Sequence, residues 1–367
     1  MNKYMYNFIP FLTPGAANNV IDIIKAFPEY KHIIIHNPDI IKDGLTNKKN
    51  MHNRLKKLGA SILSLPIFKR RLYYFSYSLG GLAKIFKLKN PDIVFSHSAY
   101  SALIINLAKK ILRKKFIHIS IVHGWGINKT KLQRISDIFS LNHCDKIICV
   151  SNAIKNQMEN YGVNSEKISI INYGIEKING KIIDIHKEFN IPKNKLILFS
   201  ASRLVIEKDP EYLLDIAGEC RNLDIMFLIA GDGYMHEKLQ KRIDSESLPV
   251  KLLGFRKDIP DLMESSDIFI MSSKYDALPF AVIEALSHGL PVLAPPVGGI
   301  PEMISHKSNG YLYNSKEEAK KYISLLINNK ILLNEFGARS KEIYYSKFTP
   351  EIMKAKMERL IKGKKAE

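Results

Sequence analysis

Residues 274–304 read KYDALPFAVIEALSHGLPVLAPPVGGIPEMI, and the parsing of this stretch decides the fold. Phe280 to His288 reads as a buried helix, because Ala281, Val282, Ile283, Ala285 and Leu286 make most of the circumference around Glu284 apolar. Such a helix packs against a sheet that is covered on its faces. Leu278-Pro279 opens it, with proline tolerated in a first turn, and His288-Gly289 closes it. Pro291 to Ala294 then reads as a short strand, and Pro295 to Gly299 as a glycine-rich turn into another helix start at Pro301-Glu302-Met303. Turns of this kind leave backbone N–H groups free where phosphate binds. Asp276, Glu284 and Gly298-Gly299 therefore come to share the carboxyl edge of one parallel sheet, where ligands of such folds bind. A carboxylate at position 284 needs a partner. Taken singly, Glu284 is explained by a salt bridge and Gly298-Gly299 by a turn; the combination points to a site.

Outward from this stretch the same grammar repeats. Strand-like runs at Tyr4–Leu12, His32–His36, Ile62–Leu65, Ile93–Ser96, Phe116–Val122, Lys146–Val150 and Ile168–Asn172 are separated by helix-length segments. That is βαβ repetition and predicts a parallel sheet. Polar residues from Glu176 to Lys195 read as a linker with one short helix. A second series follows: strand Leu196–Ala201, helix Pro210–Cys220, strand Ile225–Ala230, helix Tyr234–Ile243, then strands Val250–Leu253 and Ile268–Ser272. After Gly310-Tyr311 the chain reads as helical nearly to its end, broken at Phe348-Thr349-Pro350 before a basic helix. The expected domains are 1–178, a linker 179–194, 195–345, and a C-terminal helix 346–367 that crosses back to the first domain.

A chain of 367 residues with 46% hydrophobic and 25% charged residues has the composition of a globular protein with two substantial cores. Disordered and fibrous classes are disfavoured. The formal net charge of +19 calls for an anionic partner: nucleic acid, a membrane surface or phosphorylated substrates. Cys144, Cys149 and Cys220 form no CxxC pair and no zinc-ligand spacing, which reads as free thiols. The start of the chain reads as a first strand, since Asn7 and Pro10 interrupt its apolar run, and no apolar stretch is long enough to span a bilayer. The expected location is the cytoplasm or a membrane surface.

The strand Leu196–Ala201 runs into Ser202-Arg203-Leu204-Val205-Ile206-Glu207-Lys208-Asp209. Arg203 and Lys208, on a loop leaving the carboxyl end of a parallel strand, are placed to grip a diphosphate, the first by its planar fork and the second as a point charge. Gly231-Asp232-Gly233 makes a second turn at the same edge; alone it is a weak signal. In this order, SRLVIEKD, the GDG turn, Asp276 with Glu284 eight positions on, GLPVLA and GGIPE resemble the carboxyl-terminal domain of the retaining glycosyltransferases of family four. Asp145–Ser151 and Lys167–Glu176 resemble that family's approach to its interdomain linker. The resemblance is densest from about Phe199 to Ile304.

It implies a GT-B fold, an α/β architecture of two Rossmann-like doubly wound domains facing each other across a cleft. Residue by residue, it implies that Arg203 and Lys208 hold the donor diphosphate and that Glu284 binds the ribose hydroxyls. Asp276 stands at the acidic position near the transferred sugar, where most members have Glu. Leu278, Pro279 and Phe280 belong to the sugar pocket, Gly298-Gly299 to the phosphate turn, and Gly231 to the same donor edge. Gly15 matches the position where a glycine-rich loop approaches phosphate. His123, in SIVHGWG, corresponds to a histidine that contacts the donor sugar. His97 sits at a similar strand end, with cleft-facing and core readings equally open, and Trp125 suits either a sugar ring or the core. Tyr173-Gly174-Ile175-Glu176 stands where the family usually shows Asn-Gly-Ile-Asp.

The implied reaction is transfer of a sugar from a UDP- or GDP-sugar with retention, by front-face attack, in which the leaving phosphate accepts the acceptor's proton. No Asp-x-Asp motif accompanies the site, so no metal or other cofactor is expected. Domain closure over the donor would exclude water. In the first domain, FKRRLYYFSYSL at 68–79 interleaves Lys69, Arg70 and Arg71 with Tyr73 and Tyr74, a pattern suited to a membrane interface as well as to a solvated helix with a packed aromatic side. The membrane reading implies a lipid-linked glycan acceptor at the anionic cytoplasmic face of the inner membrane, in O-antigen, capsule or lipopolysaccharide synthesis. The alternatives are a non-hydrolysing nucleotide-sugar epimerase and, from another class, a basic nucleic-acid-binding protein. No nucleic-acid motif accompanies the charge, and the expected partners exclude nucleic acid.

Overall fold

Alternating apolar runs and helices build two parallel sheets. The computed structural model describes residues 3–9, 14–37, 48–65, 72–125 and 129–364, without the side chains of 14–16, 48–50 and 72–75. The chain divides into one unit of Met1–Gly174 with Pro350–Glu367 and a second of Ile175–Thr349.

In the first unit the strands are β1 (Tyr4–Ile9), β2 (Lys31–His36), β3 (Ser61–Ser64), β4 (Ile93–Ser96), β5 (Ile117–Val122), β6 (Lys146–Cys149) and β7 (Ile168–Ile170). They lie in the order β3-β2-β1-β4-β5-β6-β7. The helices are α1 (Pro14–Ala26), α2 (Lys48–Lys57), α3 (Leu72–Leu88), α4 (Ala99–Ile111), α5 (Lys131–Asn142) and α6 (Asn152–Asn160). The two-residue period of the strands sorts the core. Tyr6 and Phe8 of β1, with Ile33 and Ile35 of β2, pack on Leu82 and Phe86 of α3 and on Ile104 and Ile105 of α4. Ile9 and Ile34 point the other way, to Val20 and Ile24 of α1 and Leu55 of α2. Helices α3 and α4 thus cover one face of this sheet, and α1 and α2 the other.

The second unit holds α7 (Ile185–Glu188), β8 (Leu196–Ala201), α8 (Pro210–Glu219), β9 (Ile225–Ala230), α9 (His236–Glu246), β10 (Val250–Gly254), α10 (Ile259–Glu264), β11 (Ile268–Ile270), α11 (Phe280–His288), β12 (Val292–Ala294), β13 (Gly310–Leu312), α12 (Lys316–Ile327) and α13 (Lys330–Lys347). Its sheet order is β10-β9-β8-β11-β12-β13. Strand order reverses between β8 and β11, so the loops leaving these two strands diverge and open a crevice at their carboxyl ends. The polar residues after Ile175 lie along this unit: Lys181 N donates to Asp261 Oδ1 (2.8 Å) and Ile183 N to Ser265 Oγ (2.9 Å). The last helix, α14 (Pro350–Ile361), groups with the first unit, where it packs on α1.

Three local expectations change. Gly310–Leu312 forms the edge strand β13, an element not expected ahead of the helical tail; a Cβ on Gly310 would lie 1.9 Å from the Val292 carbonyl oxygen, so glycine admits the close approach. Ile300–Glu302 is one 3-10 turn and not the start of a longer helix. The chain turns back at once, with Asn309 Oδ1 accepting from Ser305 N (2.7 Å), to reach β13. Helix α9 begins at His236, because Tyr234 and Met235 are tied to the loop after β8 through Ile206 N to Tyr234 Oη (3.0 Å) and Met235 N to Leu204 O (3.2 Å).

Candidate active site

In the second unit the crevice is built from the loops that leave β8 and β11. Ser272 Oγ donates to the carbonyls of Lys208 (3.2 Å) and Asp209 (2.7 Å), and Lys274 N donates to Glu207 O (3.1 Å). These bonds join the two loops. Asp209 adopts a left-handed conformation (φ 46°) that turns the chain into α8, and its carboxylate pairs with Lys274 (3.3 Å). Lys208 Nζ forms an ion pair with the Asp276 carboxylate, both side chains mostly shielded from water. Arg203 is exposed and its guanidinium has no ion-pair or hydrogen-bond partner among the described residues.

The glycine turns close on these loops. Gly231 (φ 139°) brings its Cα so near the Ser202 carbonyl that a Cβ would sit 1.8 Å from the oxygen; at Gly233 the clash would be with Leu204 O, at 2.3 Å. Leu204 N donates to Asp232 O (3.0 Å), which locks the GDG turn beneath Arg203. Gly231 and Gly233 are therefore needed for backbone contact with the Arg203 loop. Gly298 (φ 55°) does the same at the other loop, where a Cβ would lie 1.8 Å from the Asp276 carbonyl, and Gly299 N donates to that carbonyl (3.0 Å). Asp276 is thus fixed through its backbone by the Gly298-Gly299 turn and through its side chain by Lys208.

Helix α11 starts at Phe280 on the Pro279 carbonyl, which accepts from Val282 N (3.2 Å) and Ile283 N (3.4 Å), with no side-chain cap. Leu278 and Pro279 are buried and Phe280 half-buried. Burial pushes the Glu284 carboxyl up to about 7. The partner expected for this carboxylate is absent among the described residues. Ser287 Oγ (2.6 Å) and His288 Nδ1 (2.9 Å) engage the carbonyl of Glu284 and leave its carboxyl oxygens alone.

In the first unit, His97 follows β4 and His123 follows the adjacent β5. His97 Nε2 lies 3.2 Å from Asn7 Oδ1, His97 Nδ1 lies 2.8 Å from His123 Nε2, and His123 Nδ1 lies 2.8 Å from the Tyr173 hydroxyl. With the Asn7 carbonyl as terminal acceptor, His97 Nε2–H donates to it, His123 Nε2–H donates to His97 Nδ1, and the Tyr173 O–H donates to His123 Nδ1. Burial lowers His97 well below its ordinary value and takes His123 to about 4, so both rings are neutral near pH 7. Both nitrogens of His123 are engaged within the unit. Tyr173, singled out in the sequence only as a departure from Asn, lies 50 residues from His123, and no local pattern announces their bond.

Gly15 lies in the first turn of α1. Trp125 is buried, stacked on Tyr161 with ring centroids 5.8 Å apart, and Lys129 Nζ sits 3.7 Å from its ring centroid. Lys69, Arg70 and Arg71 fall outside the described residues, as do the side chains of Tyr73 and Tyr74 on α3. Among the described residues, no group of three or more His, Cys, Asp or Glu is placed to hold a metal ion.

Comparison with known families matches residues 15–177 to Glycosyltransferase Family 4 and residues 181–343 to Glycosyl transferases group 1. An Escherichia coli UDP-Gal:alpha-D-GlcNAc-diphosphoundecaprenol alpha-1,3-galactosyltransferase is 28% identical over 64% of this chain and 65% of its own length, just under two thirds. The Bacillus anthracis N-acetyl-alpha-D-glucosaminyl L-malate synthase is 25% identical over 74% of each chain. Among solved structures, Anabaena Alr3699/HepE in complex with UDP superposes with a TM-score of 0.85 at 18% identity, covering 99% of this chain and 100% of that one.

Proposed function

This chain belongs to the family-four, group 1 glycosyltransferases and has their GT-B fold, and on that premise we propose that it transfers a hexose from a UDP-sugar, with retention, to a lipid-linked acceptor in bacterial surface-glycan synthesis. The observation that carries this reading is Glu284: a half-buried carboxylate without a partner among the described residues, on the same sheet edge as Arg203 and Lys208. A nucleoside diphosphate supplies the partners that Glu284 and Arg203 lack among the described residues and competes with Asp276 for Lys208. Its ribose hydroxyls donate to the carboxylate and its diphosphate takes the cations. UDP is favoured over GDP because the Escherichia coli relative is named for UDP-Gal.

In the proposed step the bond between the anomeric carbon and the β-phosphate oxygen breaks, and its electron pair leaves with the diphosphate. The acceptor oxygen bonds to that carbon on the same face, and its proton passes to the departing phosphate oxygen. Arg203 and Lys208 stabilise the charge that accumulates on the diphosphate, the kind of contribution worth on the order of 10² to 10³ in rate. For Lys208 this requires exchange of its contact with Asp276. With cations supplied by side chains, transfer is expected to proceed without a divalent metal. His123, held neutral and oriented, suits a hydrogen bond to a sugar hydroxyl once one of its two present bonds is exchanged. Both matched families are glycosyltransferases, which disfavours the epimerase and nucleic-acid readings.

A diphosphoundecaprenol-linked sugar appears in the name of the Escherichia coli relative and L-malate in that of the Bacillus relative, so acceptor class varies among relatives of this chain. The lipid-linked acceptor is preferred because the chain is strongly basic and the acceptor's diphosphate lies at a bilayer surface. No helix among the described residues is long and apolar enough to cross a membrane, and attachment at the cytoplasmic face is proposed to be peripheral. The test is a transfer assay with UDP-galactose and a short-chain prenyl-diphosphate-linked N-acetylglucosamine, with and without EDTA. An axial product from the axial donor, formed equally in EDTA, supports the mechanism. An equatorial product overturns retention, and transfer to L-malate alone overturns the acceptor.

A further inference from the structure

The helices α3, α4 and α5 lie side by side on one face of the first unit. Neither α3 nor α4 contains an Asp or Glu, and the one acid of α5, Asp137, is paired with Lys129 at 2.6 Å. Asp145, at the start of the strand after α5, is paired with Lys109. The basic residues are not balanced in this way: Lys110, Arg113 and Lys115 at the end of α4 and Lys131 at the start of α5 are exposed. On α5 three of the apolar residues also face outward, while Leu141 is buried. Leu132 is 77%, Ile135 55% and Phe139 56% exposed, and their spacing of three and four residues puts them on one stripe of the helix. Ile111, among the basic residues at the end of α4, is 57% exposed.

Protruding aliphatic and aromatic side chains beside an acid-poor, basic helix end match a surface that is anionic outside and apolar just beneath. We propose that the α4–α5 face docks on an anionic lipid bilayer, with Leu132, Ile135 and Phe139 entering the acyl boundary and Lys110, Arg113 and Lys115 contacting headgroups. This rests on the peripheral-membrane reading above and assigns it to residues that the sequence did not single out. A second copy of the chain fits less well, because self-pairing would bring basic surfaces together and three side chains fall short of the roughly 800 Å² per partner of a standard interface. Nucleic acid would use the cations but leave the aliphatic stripe without a function.

The experiment is co-sedimentation of the full chain with vesicles of phosphatidylcholine alone and of phosphatidylcholine mixed with phosphatidylglycerol. Two variants accompany it, Leu132→Ser/Ile135→Ser/Phe139→Ser and Lys110→Glu/Arg113→Glu/Lys115→Glu. Both alter exposed side chains and are checked for an unchanged thermal midpoint. The expected result is binding to the anionic vesicles only, weakened by salt. The charge-reversed variant should bind roughly a hundredfold more weakly and the serine variant roughly tenfold. UDP release from the donor should be unchanged in both, which separates a failure of docking from a failure of the transferase reading. Equal sedimentation of both variants and the parent overturns the proposal. So does a dimer abolished by the serine variant without any vesicle binding, or duplex DNA binding without vesicle binding.

Discussion

Lys208 and Asp276, 68 residues apart in sequence, are paired at the carboxyl edge of the second sheet, with side chains only 22% and 15% exposed. A diphosphate must compete with Asp276 for Lys208. Asp276→Asn is therefore expected to tighten UDP by about fivefold while lowering transfer, because the neighbouring anion no longer competes but the acidic group is lost. Lys208→Ala should weaken UDP and lower kcat/KM on the order of a hundredfold. Calorimetric titration with UDP checks both. Weaker binding by Asp276→Asn would show that Asp276 supports the nucleotide site and does not compete with it.

Glu284 makes the protein pH-sensitive between about pH 4.5 and 7. Burial raises its carboxyl from 4.5 to about 7, so through that window the folded state holds a proton that the unfolded chain has lost. Stability contributed this way is present at low pH and declines as pH rises, by up to about 3 kcal/mol in full. Glu284→Gln should flatten this slope in urea titrations between pH 5 and 8 and weaken UDP. Ribose hydroxyls favour the ionised carboxylate, so UDP binding to the parent near neutral pH should release a proton, detectable in buffers of different ionisation enthalpy, and the variant should release less.

The His97–His123 pair acts on the acid side. Burial lowers His123 from 6.5 to about 4, so stability is lost as pH falls through that range. Tyr173→Phe removes the donor to His123 Nδ1. The expected result is a roughly tenfold lower kcat with donor KM little changed, and a shift in the ¹⁵N signals of His123 that reports loss of the fixed tautomer. Unchanged signals would mean that Tyr173 does not set the ring.

Gly298→Ala places a Cβ 1.8 Å from the Asp276 carbonyl at φ 55°. It should cost roughly 3 kcal/mol or more and displace Asp276. Gly59 has a similar φ of 79° with nothing near the added atom, so Gly59→Ala should cost only about 1 kcal/mol, the backbone part. Urea denaturation of the two variants checks the difference.

Much of the second unit was legible because its signals are local. Strands Leu196–Ala201 and Ile225–Ala230 and helix Phe280–His288 have the expected limits, since each is a continuous apolar segment bounded by glycine, proline or polar turns. Gly310–Leu312 was missed because three residues show no period, and its glycine is explained only by Val292 on the neighbouring strand. The pairing of Lys208 with Asp276, and the lack of a partner for the Glu284 carboxylate among the described residues, depend on which strands lie side by side at the switch point. The Asn7–His97–His123–Tyr173 chain joins residues in or after four different strands, so its members looked like four unrelated residues.

The most direct measurement is nucleotide release from a panel of UDP-, GDP- and dTDP-sugars, with Arg203→Ala and Glu284→Ala alongside. Slow release from one UDP-hexose, lost in both variants, is the predicted result. Silence from every donor, with no thermal shift by UDP or GDP, would contradict a nucleotide-sugar site at Arg203, Lys208 and Glu284.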